Sequence, residues 1–459
     1  MPHELHNDPR QAATEVLSRW RDINDPPMIP SHDAPFWTAL EIRDRGLAFE
    51  LVHGVIRWRG TLDTIIQSVS NTPLDKMQPV VRAIAYLGTY QLLMLDGAAD
   101  YATIDTSVKL TQQMDVVRAG GFINGILRSI QRLRNGAEPR TELSAQTFPL
   151  DGRRQMRLSK NIFPDPVGDL PRHLAAVTSH PEEIVSLFLS TWGKQKTIDI
   201  LIADNSRPVI ILRSDDPTFI PGGISGLQAH QQKGWFIAVT GWTDELRESI
   251  VKGVLHPQDP TAGRAAQQLI GMLDIKEKHE PRILDLCAGL GTKTVQMARA
   301  QPKGRIFAFD ISEHKLAQLS RRVVQLGLKN VEILTAEKIK SSEMQRCFDA
   351  VLADVPCSNT GVLARRVQAR WRWPKLDRAE LARTQQEILR VASGLIRPGG
   401  IVVYSTCSID PEENQKLVEK FLATSGGSSM KIAHQETILP VDSGDAAVRR
   451  DGGYICVLS

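Results

Sequence analysis

Beyond residue 281 the chain alternates short apolar runs with helical patterns, and few architectures accept that order. Ile283-Leu284-Asp285-Leu286, Arg305-Ile306-Phe307-Ala308-Phe309-Asp310, Val331-Glu332-Ile333-Leu334, Phe348-Asp349-Ala350-Val351-Leu352-Ala353 and Ile401-Val402-Val403-Tyr404 read as strands. A helix follows the first run, residues 315–326 carry a helical pattern after the second, and a long helix lies around 380–396. Strands separated by helices pair in parallel, because a parallel crossover needs about a dozen residues. The segment is therefore expected to form a doubly wound, Rossmann-like α/β sheet. In such a sheet the residues just past the C-terminal ends of the strands line the ligand crevice. That rule directs attention to whatever follows each apolar run.

The rest of the chain is organised differently. At 459 residues it exceeds one ordinary core. Residues 10–17, 47–57, 80–94 and 103–114 carry apolar positions at helical spacing, punctuated by Asn71-Thr72-Pro73, Asp96-Gly97 and Gly120-Gly121. An all-α bundle over residues 1–140 is expected. A polar, basic stretch with Asp151-Gly152-Arg153-Arg154 reads as a linker over 141–160. Residues 161–273 mix a helical segment at 184–193 with β-rich pieces such as Val209-Ile210-Ile211-Leu212-Arg213, a small α+β domain. Residues 274–459 then make the α/β domain. No internal repeat or low-complexity tract is visible.

Composition bounds the function classes. The hydrophobic fraction of 42% and charged fraction of 24% are those of a globular protein. Five cysteines without regular spacing argue against a disulfide framework and for a reducing compartment. No apolar run approaches the roughly 18 residues of a membrane helix, and Met1-Pro2-His3-Glu4 does not open a signal peptide. A cytoplasmic monomer is expected. The net charge of +4 is compatible with a nucleic-acid partner and identifies none.

Two of the five thiols stand where the crevice should be. Cys357 follows one strand, in Asp354-Val355-Pro356-Cys357-Ser358, and Cys407 ends another, in Ser405-Thr406-Cys407-Ser408. A thiolate is the strongest ordinary side-chain nucleophile, so two in one crevice point to covalent chemistry. One buried free cysteine alone would be read as a small hydrophobe, and Cys347 and Cys456 are read that way. Between the first strand and its helix lies Leu284-Asp285-Leu286-Cys287-Ala288-Gly289-Leu290-Gly291-Thr292-Lys293-Thr294. Its glycines permit close backbone approach to a ligand, and a helix N-terminus faces the same place. Asp310 ends the next strand, where an acid binds ribose hydroxyls in folds of this kind, though it also stands where a helix cap would. Glu337 follows the third strand, as a candidate for the adenine side or a solvated loop acid.

These motifs together resemble the RNA cytosine-5 methyltransferases. Residues 284–294 are similar to that family's L-D-L-C-A-A-P-G-G-K-T loop, 354–361 to its proline-cysteine motif, and Ser405-Thr406-Cys407-Ser408-Ile409 to its second cysteine motif. Pro411-Glu412-Glu413-Asn414, Arg397-Pro398-Gly399-Gly400 and Asp451-Gly452-Gly453-Tyr454 continue the match. Gly54-Val55-Ile56-Arg57, Leu87-Gly88-Thr89-Tyr90-Gln91-Leu92 and Gly121-Phe122-Ile123-Asn124-Gly125-Ile126-Leu127-Arg128 resemble the NusB-like RNA-binding domain. Such a domain precedes the methyltransferase in the RsmB/Sun family of bacterial 16S ribosomal RNA enzymes. Ser179-His180-Pro181, Ala203-Asp204-Asn205 and Gln258-Asp259-Pro260 fit the same family, so the resemblance spans about residue 9 to the C-terminus.

The resemblance implies S-adenosylmethionine as methyl donor, held by Cys287, Ala288, Gly289, Leu290, Gly291, Thr292, Lys293, Asp310, Glu337 and Asp354. It implies Cys407 as nucleophile, Cys357 as the thiol that assists release, and Asp354 as the acid on the cytosine edge. No metal is implied. Spacing alone leaves the two cysteines interchangeable. A target base inside a stack is out of reach, so the ribosomal RNA should offer an unstacked or single-stranded cytosine. Arg365, Arg366, Arg370, Trp371, Arg372, Trp373, Lys375 and Arg378 suit phosphate contact and base stacking. The same chemistry on transfer RNA, or an RNA-binding assembly factor without catalysis, are the competing readings. The chain departs from the family loop at Leu290 and Thr292, which replace proline and glycine. A β-branched residue there would be costly if φ is positive.

Overall fold

Apolar residues at helical spacing bury one stripe of each N-terminal helix, as Ile123, Leu127 and Ile130 do in a single helix. The computed structural model describes residues 7–22, 25–30, 34–95, 97, 99–274 and 280–459. The opening Met1-Pro2-His3-Glu4 and Asp96 of the Asp96-Gly97 breaker lie outside them. Two compact units are formed, one of residues 1–206 with 363–376, the other of residues 207–362 with 377–459.

In the first unit the helices are α1 (Pro9–Ser18), α2 (Pro35–Thr38), α3 (Ile42–Val69), α4 (Pro79–Met94), α5 (Asp100–Gln113) and α6 (Gly120–Leu133). Asp8 caps α1 by accepting from the N–H groups of Arg10 and Gln11, with Pro9 in the first turn. The expected linker is structured instead. Strands β1 (Arg134–Pro139), β2 (Thr147–Pro149) and β3 (Arg154–Leu158) form an antiparallel sheet in the order β1-β3-β2. Phe148, Met156 and Leu158 bury one face of it in the bundle core. That face is three residues among arginines and glutamines, too sparse a pattern to read as strands. Helices α7 (Leu170–Thr178) and α8 (Glu182–Asn205) belong to this unit too, α8 being broken at Gly193, where φ is 75°.

The second unit opens with β4 (Ile210–Ser214), β5 (Leu227–Ala229), β6 (Trp235–Ala238), α9 (Asp244–Val251), β7 (Leu255–Pro257) and α10 (Pro260–Asp274). The four strands make an antiparallel sheet, β5-β6-β4-β7. The alternating segment follows with β8 (Arg282–Asp285), α11 (Thr292–Ala300), β9 (Arg305–Ala308), α12 (Glu313–Gln325), β10 (Val331–Ile333), α13 (Ala336–Lys340) and β11 (Phe348–Asp354). Short α14 (Ala369–Arg372) lies in the stretch assigned to the first unit. Then come α15 (Arg378–Leu395), β12 (Ile396–Thr406), α16 (Gln415–Leu422), β13 (Ile432–Ile438) and β14 (Gly453–Leu458).

The large sheet has the order β10-β9-β8-β11-β12-β14-β13. Its first five strands are parallel, as the alternation predicts, but β14 runs antiparallel to β12, and β13, antiparallel to β14, returns to the common direction. The sheet is thus mixed rather than all parallel. Strand direction follows from connection geometry, and an antiparallel edge on such a sheet is common. Both faces are covered, so β11 is buried almost throughout and β12 from Gly400 onward. Among the described residues no helix is long and apolar enough to cross a membrane.

Candidate active site

The register of two neighbouring strands brings the thiols together. Strands β11 and β12 pair in parallel with Asp354 opposite Ser405. Cys357 lies three residues past Asp354 and Cys407 two past Ser405, so both loops leave the sheet side by side. The two sulfurs are 2.7 Å apart and both side chains are partly accessible. Asn359, in a left-handed conformation with φ 64°, accepts from Cys407 Sγ at 3.3 Å and donates to the carbonyl of Cys357 at 3.0 Å. Gly361 donates its N–H to the carbonyl of Cys407 at 3.0 Å. A Cβ at Gly361 would stand 2.6 Å from the backbone of Gly452 and 2.9 Å from that carbonyl, so this approach requires glycine.

Beside the thiols lies an ion pair. Lys293 Nζ donates to Asp354 Oδ2 at 2.6 Å, and Ser405 Oγ donates to the other carboxylate oxygen at 2.7 Å. Burial opposes the charge on Lys293, yet Asp354 and then Asp285 outweigh it and raise the lysine's pKa. Asp285 is fully buried at the end of β8 and accepts from Thr294 Oγ1 at 2.7 Å. Burial pushes its pKa up to about 7, against the hydrogen bond from Thr294 and the charge of Lys293. Cys357 is pushed well above the usual thiol range by its bond to Cys407, by burial and by the charges of Cys407 and Glu413.

Glu413 carries no site signal of its own in the sequence, yet it belongs here. It is buried before α16, and its Oε1 accepts from Ser358 Oγ and, at 2.8 Å, from Ser408 Oγ. Its Oε2 accepts from the N–H of Ser358 at 2.9 Å and from Gln385 Nε2 at 3.0 Å. Each cysteine is followed directly by one of these serines. That repeated Cys-Ser pair is the signal that points to a shared partner.

The glycine loop between β8 and α11 is held by Asp310. The N–H of Gly289 donates to Asp310 Oδ2 at 2.8 Å, and that of Ser312 to Oδ1 at 2.9 Å. Ser312, not Asp310, caps α12. Gly289 and Gly291 carry positive φ, 55° and 79°, whereas Leu290 and Thr292 do not. The chain's departures from the family loop therefore cause no backbone strain: Thr292 is the first residue of α11, and Leu290 points to solvent. No side chain caps α11, so its first amides remain as donors. Cys287 is partly buried, with its thiol pushed up by burial first and then by Asp285, Asp354 and Asp310. Ala288 is buried beneath the loop. Glu337 is exposed in the first turn of α13.

The arginine–tryptophan stretch is not a free RNA-binding surface. Arg370, Trp371 and Trp373 are buried, and residues 363–376 pack within the first unit. Arg370 donates to the carbonyls of Arg57, Ser179 and Asp204 and to Asn205 Oδ1, at 2.7–3.1 Å. Trp371 Nε1 donates to the carbonyl of Ile56 at 2.8 Å. Arg366, Arg372, Lys375 and Arg378 remain exposed. A sequence cannot distinguish buried arginines paired to carbonyls from those facing phosphate.

Known proteins resemble both parts of the chain. The family model described as 16S rRNA methyltransferase RsmB/F matches residues 272–447, and that of the NusB family matches residues 7–132. A probable ribosomal RNA small subunit methyltransferase B of Synechocystis sp. is 30% identical over 402 residues, covering 83% of this chain and 81% of the relative. The ribosomal RNA small subunit methyltransferase B of Klebsiella pneumoniae is 27% identical over 445 residues, covering 90% and 88%. The crystal structure of PH0851 shares the fold, with a TM-score of 0.66 at 18% identity over 99% of this chain and all of that one.

Proposed function

Because the chain belongs to the 16S rRNA methyltransferase RsmB/F family, we propose that it methylates C5 of a cytosine in small-subunit ribosomal RNA through a cysteine adduct. The observation that carries this reading is the meeting of Cys357 and Cys407 beside the Lys293–Asp354 pair. A binding module has no use for two thiols at the ends of adjacent strands.

The crevice fits S-adenosylmethionine. Uncapped amides at the start of α11 suit a carboxylate. Asp310 has lone pairs left for ribose hydroxyls after accepting two backbone N–H groups. Cys287, Ala288, Gly289, Leu290, Gly291, Thr292 and Lys293 would form the wall, with Glu337 toward the base. S-adenosylmethionine, when bound, supplies the electrophilic methyl group.

The chain's own residues do the rest. C5 of cytosine is a poor nucleophile until a thiolate adds to C6 and makes the ring enamine-like. Cys407 is assigned that attack because Ser405-Thr406-Cys407-Ser408-Ile409 resembles the family's second cysteine motif. Asp354 would hold the N3/N4 edge, as the resemblance implies, with the Lys293 ammonium bonded to it as the charge that offsets the negative charge developing in the ring. Once C5 carries the methyl group, a base takes the C5 proton, the electrons of that C–H bond re-form the C5–C6 double bond, and Cys407 leaves as thiolate, a release that Cys357 assists. The RNA must offer its cytosine unstacked.

The roles separate by mutation. Cys357→Ala is expected to accumulate a covalent protein–RNA adduct, seen as a denaturation-resistant band, and Cys407→Ala to form none. An adduct with Cys407→Ala alone would reverse the assignment.

A further inference from the structure

Glu413 stands outside both cysteine loops yet bonds to both. One carboxylate oxygen receives the hydroxyl of Ser358, next to Cys357, and that of Ser408, next to Cys407. The two hydroxyl oxygens are 3.2 Å from each other, and Thr360 joins Ser408 at 2.8 Å. The second carboxylate oxygen takes the N–H of Ser358 and the amide of Gln385, which also donates to the carbonyl of Pro356 at 2.9 Å. Tyr404 on β12 donates to Glu413's own carbonyl at 2.7 Å. Asn414 follows, bonding Thr406 Oγ1 at 2.7 Å and the carbonyl of Ser408 at 2.9 Å. A carboxylate 4% exposed is costly to bury, and four donors offset that cost.

From this geometry we propose that Glu413 is a positioning residue that locks the two cysteine loops in register and holds a buried negative charge one residue from Cys357. The inference rests on the covalent reading above. A buried negative charge disfavours a nearby thiolate, and that of Glu413 acts on Cys357. Lys293 lies on the other side of the pair, within electrostatic reach of Cys407. The other charged groups around the thiols are Asp354, bonded to Lys293, Asp285 behind it, and Asp410, paired with Arg378 at 2.9 Å. Tyr404, facing Glu413 and Cys357, is held neutral by burial and by the charges of Glu413 and Cys357.

Alkylation by iodoacetamide across a pH series, read by mass spectrometry at each cysteine, tests this without RNA or cofactor. In the wild type Cys407 should react at lower pH than Cys357. Glu413→Gln keeps the shape, removes the charge and sets an amide N–H against the Ser358 and Gln385 donors. It should narrow the pH gap between the two thiols and lower kcat by about 100-fold, the scale of a misplaced reacting group, with KM for RNA little changed. An unchanged gap would overturn the proposal. Should Glu413→Gln fail to fold, Ser358→Ala and Ser408→Ala each remove one strut and keep the charge. Both should lower kcat and preserve the order of reactivity, and wild-type kcat in both would overturn the clamp. A wild-type enzyme that makes no 5-methylcytosine would instead sink the underlying reading, whatever the alkylation pattern.

Discussion

Asp285 illustrates how a single buried carboxyl couples the crevice to pH. Burial raises its pKa from the ordinary 3.8 to about 7, so the folded chain holds this proton where the unfolded chain has released it. Between pH of about 4 and about 7 the native state binds more protons at this site, and stability falls as pH rises through that window. Each pH unit crossed there costs about 1.4 kcal/mol, so the whole loss approaches a few kcal/mol. Asp285→Asn should therefore lose less stability than the wild type between about pH 5 and about pH 8, as read from urea midpoints. An identical loss in both would show that Asp285 titrates normally. Gly291 makes a second case: with φ 79°, its Cβ would stand 2.0 Å from Leu319 Cδ1. Gly291→Ala is expected to cost about 2–4 kcal/mol, from left-handed backbone strain and overpacking together. A melting temperature equal to the wild type's would contradict that.

At the scale of elements, the stretch 363–376 carries the clearest lesson. It follows the Cys357 loop in sequence, but its side chains complete the core of the helical unit, with Val367 and Trp371 among Trp20, Ile56 and their neighbours. Arg59 stands over the ring of Trp20 at 4.4 Å and that of Trp371 at 5.9 Å. Arg370→Ala would leave several buried carbonyls without their donor and should destabilise that unit by about 3 kcal/mol. A change below about 0.5 kcal/mol with weakened RNA binding would restore the RNA-contact reading. Sequence periodicity finds α1, α3, α4 and α5 because each is long and striped. It misses β1, β2 and β3, where three buried residues carry the face, and the reversed direction of β14. The cysteines are legible because short apolar runs, Ala350-Val351-Leu352-Ala353 in β11 and Ile401-Val402-Val403-Tyr404 in β12, stand just before them. Glu413 is not, because nothing in Pro411-Glu412-Glu413-Asn414 says which carboxylate turns inward.

For the whole molecule, one chain carries a match to the NusB family and, after it, a match to the RsmB/F methyltransferases. The net charge of +4 is modest, so bulk charge alone does not single out a target. On the proposed reading this pair of thiols makes 5-methylcytosine in small-subunit ribosomal RNA. Bisulfite sequencing of that RNA is the decisive measurement, from cells with the gene, without it, and with it restored as Cys407→Ala. One protected cytosine is expected that is lost on deletion and not recovered with the variant. A small-subunit RNA whose protected cytosines are the same in all three strains would contradict it.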